Sequence, residues 1–460
     1  MRNGTGSVRR SKLFWIIPLL ALAQAVAHAA VSDREASRLQ SSLTPVGAER
    51  AGNALGTIPA WTGGYTTVAP GYREGEPRPD PFAAEKPLFS ITAHNFEKYS
   101  DRLPDGAKWL FAKYPDYRMD VYQTHRTAAA PDWVYRNILR NATSAHAAAA
   151  GSAYGVEGAA GGIPYPIPKD GYEAMWNHLL AFWGPARELN VSTYVIAADG
   201  SREKTTTYRE IADVPYYYRD AAPDSFGGYY FKTLHIATAP AAKVGQGYLN
   251  WQPINTRQYR FLAWRAIPGE HRARMSPSIS YDVPDPDADG FESMDEYYVF
   301  YGGLDHYTFR LVGKKELYIP YNNNRLYGLG VNDVLGSAHV NPDALRYELH
   351  RVWVVEGTLT PGQHDIVARR RLYLDEDTWL AVYSDSWDEH GALWKFGQGT
   401  MYLMPDVPAV ILGSQFVYDF ELGGYVYGFA FNGEAEAYKV TPPHPATVFT
   451  PESLVARSIR

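Results

Sequence analysis

An α+β fold, mainly antiparallel β, in which helices lie against the concave face of one large curved sheet, is what this 460-residue sequence predicts. Three observations lead there. Aromatic residues make up 14% of the chain, led by 35 Tyr and 12 Trp, and such side chains favour pleated, half-buried surfaces over solvated helices. From Leu189 to residue 432, short strand-like alternations recur between turn phrases such as "AADGSREK", "YGGLDHY", "LDEDTW", "SWDEHG" and "FNGEAEA". That texture belongs to an antiparallel meander of about ten strands or more. Helical periodicity, by contrast, is concentrated between residues 104 and 185.

The first 29 residues read as a secretory signal peptide. Arg2, Arg9, Arg10 and Lys12 precede the apolar run "LFWIIPLLALAQAVA", and Ala27 and Ala29 supply the small residues a signal peptidase needs. The run is shorter than the ~20 apolar residues that span a bilayer, and Pro18 interrupts it. The expected location is therefore the periplasm, with no transmembrane span in the mature chain. The 44 basic and 50 acidic residues become 40 and 50 once the four leader cations leave, a net charge of about −10. Nucleic acid is excluded as a partner, because binding phosphates takes a basic stripe that releases counterions. The chain has no cysteine, so neither disulfides nor a lipid-bearing cysteine can hold it.

Residues 30–103 predict an N-terminal helix and an irregular strap. "VSDREASRLQSSLTP" offers Ser32 or Asp33 as cap, places Leu39 and Leu43 four apart on one face, and stops at Pro45. The phrase "AGNALGTIPAWTGG", Ala51 to Gly64, carries neither the lysine nor the strand-to-helix frame of a phosphate loop. Pro59 holds Ile58 extended, the glycines let the backbone press close, and Trp61 is the one large side chain able to anchor the segment, as a packed arm or as a lid over a ligand. Residues 104–460 form, with that strap, one composite domain: a helical segment followed by an antiparallel half-barrel. The helices are "PDGAKWLFAKYP", "APDWVYRNILRNATSAHAAAAG" and "KDGYEAMWNHLLAFWG", the last with Tyr172, Met175, Trp176, Leu179 and Leu180 on one stripe. Between them the prolines from Ile163 to Pro168 make a rigid connector. The tail after Lys439 reads as an irregular arm.

Five phrases carry a family resemblance: "GTIPAWTGG" at 56–64, "FAKYPDYRMDVYQTHRTAAAP" at 111–131, "GGIPYPIPKDGYEAMWNHLL" at 161–180, "LVGKKELYIPYNN" at 311–323 and "RYELHRVWVVEGTL" at 346–359. They are similar to the domain-of-unknown-function family numbered 1329. The resemblance implies an outer-membrane lipoprotein-sorting-like protein with a LolA/LppX-type half-barrel, of a kind encoded near exporters of hydrophobic substrates. Within "RRRLYLDEDTWLAVYSDSWDEHGALWKF", a D-x-x-T turn at Asp375–Thr378 and a D-x-x-G turn at Asp388–Gly391 support the meander independently, since Asp bonds its own backbone two residues on and Gly accepts positive φ.

Asp285, Asp287, Asp289, Gly290 and Glu296 in "DPDADGFESMDE" match the calcium-loop pattern D-x-D-x-D-G-x5-E, in which alternate carboxylates converge on one hard ion. Calcium is thus the one cofactor the sequence suggests. The flanks "SISYDVP" and "YYVFYGG" look like strands, Pro286 stiffens the second position and Glu292 replaces an apolar residue, so a solvated acidic turn is the competing reading. No G-x-S-x-G or H-E-x-x-H motif exists, and no catalytic residue is assigned. Ser201 and Lys204 fall in a hairpin turn. His125, His178 and His350 read as hydrogen-bonded core or surface residues, and the acid pairs Glu348/Glu356 and Asp375/Asp377 carry no further signal for acid–base work.

A curved sheet only partly covered by helices leaves a groove lined by every second residue. Alternation pairs Tyr298 with Phe300, Phe309 with Leu311, and Leu349 with Trp353, leaving open which parity faces inward and whether these residues fill an ordinary core. The expected function is a non-enzymatic carrier or accessory protein that binds a lipid-like molecule there and serves an envelope exporter or outer-membrane partner. Two alternatives stand beside it: an enzyme acting on a hydrophobic substrate in the same groove, and a structural adaptor without a small-molecule ligand.

Overall fold

A computed structural model describes Met1, Gly4 and residues 31–223, 225–276, 281–434 and 438–458. The expected leader and its cleavage site lie outside these, Met1 and Gly4 aside. Strands β1 (Phe89–Thr92) and β2 (Arg118–Val121) come first, then a small separate pair, β3 (His146–Ala147) and β4 (Val156–Glu157). Next runs a meander of β5 (Ala186–Ile196), β6 (Arg202–Asp213), β7 (Tyr229–Ala239), β8 (Gly247–Pro253), β9 (Leu262–Ala266) and β10 (Ala273–Met275). A second meander holds β11 (Tyr307–Pro320), β12 (Tyr347–Leu359), β13 (Arg369–Asp375), β14 (Ala381–Trp387), β15 (Leu393–Met404), β16 (Ala409–Asp419) and β17 (Gly424–Ala430), before the short β18 (Lys439–Val440).

The two meanders share one 16-stranded, mostly antiparallel sheet, because the last strand of the second, β17, pairs with the first strand of the first, β5, as at Tyr427 and Tyr194. The parallel contact, Val121 with Tyr347, has a local cause: β13 stops pairing with β12 at Val352, so residues after β2 bond the uncovered start of β12. The hairpin turns follow their sequence chemistry. The Thr378 hydroxyl donates to Asp375 (2.8 Å), and Asp388 accepts from the amides of His390 and Ala392 while Gly391 takes φ of 81°. Ser201 sits at the turn, its amide donating to Asp199, whereas Lys204 is already in β6, facing Tyr194 and pairing with Glu434.

Helices are few. α1 (Asp33–Ala36) has the Ser32/Glu35 capping box and tightens into a 3-10 turn at Ser37–Gln40, burying Leu39. α2 (Asp105–Lys113) packs on β14 and β15, and its first amides, Asp105 and Gly106, donate to the carboxylate of Asp385. A Cβ on Gly106 would stand 2.2 Å from the Phe396 ring, so only glycine allows this approach. α3 (Asp132–Ser144) is followed by α4 (Gly171–Leu179), which is capped by Asp170 and lies on β11 and β12 with Met175, Trp176 and Leu180 buried. Two short turns, α5 (Asn324–Gly328) and α6 (Val331–Val334), precede β12.

Two expectations are corrected. The tail is not an irregular arm throughout: Pro451 opens α7 (Pro451–Ser458), whose Leu454 joins Phe449 over Ile211, Leu234, Leu249 and Ala266. Nor is "EYYVFYGG" a strand. Tyr298 and Val299 take φ of 52° and 69°, the left-handed region that a β-branched residue rarely adopts. The Val299 amide donates to the side chain of Gln415 on β16 (2.8 Å), and the Tyr301 amide donates to the Asp295 carbonyl, so the backbone turns inward instead of extending.

Candidate functional site

Strands β6 to β8 have two distinct faces. In register, Ile211, Leu234 and Leu249 line one face and meet α7 and Phe449. The alternate residues, among them Tyr208, Phe231, Thr233, His235, Tyr248 and Gln252, look the other way, towards the loop 281–306. Between that face and the loop lies a cavity of about 70 Å³, walled by Tyr208, Phe231, Tyr248, Phe261, Tyr297 and Tyr301. A second, of about 40 Å³, shares the walls Phe231, Tyr298 and Tyr301 with it and extends to Leu179, Trp183 and Phe300. A third, of about 350 Å³, shares Gln252 and Phe261 with the first and Leu179 and Tyr230 with the second, and reaches Trp176, Met275 and Leu304.

The Arg187 charge at the second cavity is internally neutralised. Arg187 Nε donates to Glu210 (2.7 Å) and Nη2 donates to the Tyr298 hydroxyl (3.1 Å), while the rings of Trp183, Phe231 and Tyr438 lie 5.1 to 5.7 Å from its guanidinium. His235 stands 3.1 Å from Glu210 on the other side. Burial opposes ionisation of Glu210, but Arg187 and His235 hold its carboxyl down at about 2. Burial also pushes the Tyr298 phenol well up. The arrangement offers aromatic surface and a paired charge.

The sequence-derived residues scatter. Tyr298 and Phe300 line the 40 Å³ cavity, placed there by the loop's inward turn and not by strand alternation. Phe309 packs edge-on to Phe300 and Tyr172 (5.8 and 5.7 Å) in the core; Leu349 is buried and Leu311 half-buried in the same cluster. Trp353 stacks on Trp379 (6.0 Å) beneath the Lys314 ammonium (4.8 Å). Trp61 belongs to a separate small cavity under the strap, with its indole N–H donating to the Ala128 carbonyl (2.9 Å) and the Arg50 guanidinium 5.2 Å from its ring. Tyr208, Phe231, Tyr248, Phe261 and Tyr301 were not singled out from the sequence. The alternation in "YYFKTLHIATA" holds the signal, but both parities of β7 mix apolar and polar residues because both faces are covered.

The four expected calcium ligands do not converge. Asp287 accepts from Lys243, Thr206 and Tyr208, all at 2.6 Å; Glu296 accepts from Lys395 (2.9 Å) and Ser293; Asp289 is exposed. Asp285 is turned to the Asp287 amide, and burial raises its carboxyl to about 6. Lys243 and Lys395 occupy the Asp287 and Glu296 oxygens that an ion would need. Of the other candidates, Glu356 pairs near the surface with Arg310 and Arg371. His178 is buried, with Nε2 bonded to the Phe300 carbonyl (2.8 Å) and Nδ1 accepting from the Ala381 amide (3.1 Å). His125 contacts Glu85 (2.7 Å) and stacks on Phe82. Glu348, His350, Asp375 and Asp377 lie together beneath the strap, where burial first, and the charge of Asp377 second, push the Asp375 carboxyl up to about 7.

Comparison with known proteins now places the chain. "Uncharacterized protein PA3922" of Pseudomonas aeruginosa is 36% identical over 435 residues, which is 94% of this chain and 95% of that relative. Solved structures with similarity are a DUF1329 family protein from Desulfovibrio piger (14% identity, TM-score 0.41, 62% of this chain and 97% of that one) and a putative outer membrane lipoprotein-sorting protein domain from Vibrio parahaemolyticus (12%, 0.41, 62% and 97%). A third is the LolA superfamily protein NE2245 from Nitrosomonas europaea (13%, 0.36, 61% and 97%). Residues 90–455 match the model of the family described as "Protein of unknown function (DUF1329)", and the chain belongs to that family.

Proposed function

We propose that this protein is a periplasmic carrier that holds a lipid-like hydrophobic molecule between the tyrosine-rich face of β7–β8 and the loop 281–306. The observation that carries the reading is the set of three wall-sharing cavities, the largest about 350 Å³, lined mainly by aromatic and aliphatic side chains. Polar side chains such as Asn250, Gln252 and Arg260 also reach the walls, but apolar surface predominates, so the main driving force is removal of apolar surface from water. Each buried methylene contributes ~0.8 kcal/mol, and association costs at least ~4 kcal/mol. Chains of fewer than about five carbons therefore gain too little to offset that cost, and affinity rises about tenfold for every two added methylenes until the space is full. Because Arg187 is committed to Glu210, it gives acids no advantage over alcohols of equal chain length.

The test is native mass spectrometry and lipid extraction of protein purified from the periplasm, followed by titration with fluorescent fatty acids and alcohols of increasing length. The expected result is a co-purifying lipid and a length-dependent affinity that Phe261→Asp, a charge placed on the wall shared by two cavities, lowers at least tenfold. An empty protein that binds none of the probes overturns the carrier reading.

A further inference from the structure

We infer that His350, Asp375 and Asp377 form a site for one divalent transition-metal ion beneath the N-terminal strap, built from one imidazole nitrogen and two carboxylate oxygens. The three residues each present a donor atom within 4.8 Å of the other two, and all are buried, at 1%, 0% and 4% exposure. His350 Nδ1 lies 3.8 Å from Asp375 Oδ1. That separation is too long for a hydrogen bond, and it suits two ligands of a single ion bonded at ~2.1 Å to each.

Two independent observations point to a missing partner. Asp375 Oδ1 is buried without any hydrogen-bond donor, and so is the hydroxyl of Tyr321, whose ring stacks 3.9 Å from that of His350. Buried polar atoms in folded proteins are nearly always satisfied, yet the carboxylate oxygen left over here is one of the three donor atoms, a nitrogen and two oxygens, that a cation would bridge.

The groups behind the ligands are arranged to orient them. His350 Nε2 lies 3.3 Å from Glu348 Oε2, so the far nitrogen donates and Nδ1 keeps its lone pair for an ion, as in the carboxylate–histidine–metal relay. Glu348 is itself fixed by Arg346 (2.6 Å), Asn322 and the His125 amide. Asp375 Oδ2 accepts from Thr378, and Asp377 is clamped by both arms of Arg126 (2.7 and 2.8 Å), which leaves each Asp377 oxygen its second lone pair.

A mixed imidazole–carboxylate set selects zinc or manganese over magnesium and calcium, which prefer all-oxygen shells. Access runs under the strap: Asp377 and Thr378 line the small cavity closed by Trp61 and Val46.

The full mature chain, stripped with chelator and dialysed, is incubated with zinc or manganese chloride and passed through a desalting column. Metal content is then read by elemental mass spectrometry, and thermal midpoints are read with and without metal. One ion per chain and a metal-dependent rise in midpoint are expected for the native protein and for Asp289→Asn on the distant surface. In Asp375→Asn and His350→Gln the affinity falls at least tenfold and the rise disappears; Asp375→Asn removes a buried charge at constant shape, so it folds. Native protein that retains no ion, or equal retention by Asp375→Asn, overturns the site.

Discussion

Two acidic regions of this molecule invite comparison, the loop at residues 285–296 and the turn at 375–377. The loop matches an ion-binding pattern by spacing, and the turn matches nothing beyond a hairpin. Yet in the loop Asp287 is met by Lys243, Asp295 by Arg370, Glu296 by Lys395 and Glu292 by the amide of Gln415. In the turn, Asp377 takes Arg126 and Glu376 takes Arg351 and Lys314, while one oxygen of Asp375 is left facing His350. What separates them is the supply of cations from distant strands. Spacing along the chain says which carboxylates are neighbours; only the fold says which are already neutralised.

The largest effect expected from breaking this contrast comes from the loop. Arg370 is 1% exposed and neutralises Asp295 and Asp365. Arg370→Met leaves those carboxylates buried without their cation and lowers unfolding stability by ~3–5 kcal/mol, read as a fall in the urea midpoint. The same logic applied to the turn has the opposite sign, because Asp375 has no cation to lose.

That sign is tested by pH. Burial raises Asp375 to about 7 and Asp285 to about 6, so the native state binds protons that the unfolded state has released between pH 4 and 7. Stability from these groups is complete below about 4 and is lost as pH rises through 6 to 7. Buried His178, lowered to about 4, behaves in reverse: its contribution is complete above its ordinary 6.5, and roughly 3 kcal/mol is lost as pH falls to 4. Urea unfolding of chelator-treated protein from pH 5 to 8 should therefore show Asp375→Asn gaining on the native chain as pH rises, by roughly 2–4 kcal/mol at pH 8. A gap that is constant with pH, or that widens towards pH 5, would mean that Asp375 ionises freely in the fold.

Much of the scaffold was legible because local chemistry and tertiary structure agree. The capping box at Ser32, the Asp375 and Asp388 turns, the Asp170 cap and the apolar stripe of α4 each state their element within a few residues. The cavity face was not legible, since alternation identifies a face only where one side meets water, and α7 covers the outer side of β7 while the loop covers the inner. The left-handed turn at Tyr298 and Val299 escaped for a related reason. It is imposed by Gln415, more than a hundred residues away, against the β propensity of "YYVFY". His350 and Asp375 were visible as residues, but their juxtaposition depends on the pairing of β12 with β13.

The smallest expected effect is the most direct challenge to the contrast between loop and turn. Asp289 is exposed and takes φ of 49°, which glycine adopts without strain. Asp289→Gly deletes a carboxylate that the calcium pattern requires, at a backbone position where glycine costs nothing sterically. If the loop oxygens belong to Lys243 and Lys395, stability changes by no more than ~0.5 kcal/mol, and the melting temperature of both proteins, stripped of metal beforehand, is the same with calcium as without it. A calcium-dependent rise in the native chain that the glycine variant abolishes would show the ion displacing those lysines, and spacing alone would then have identified the site correctly.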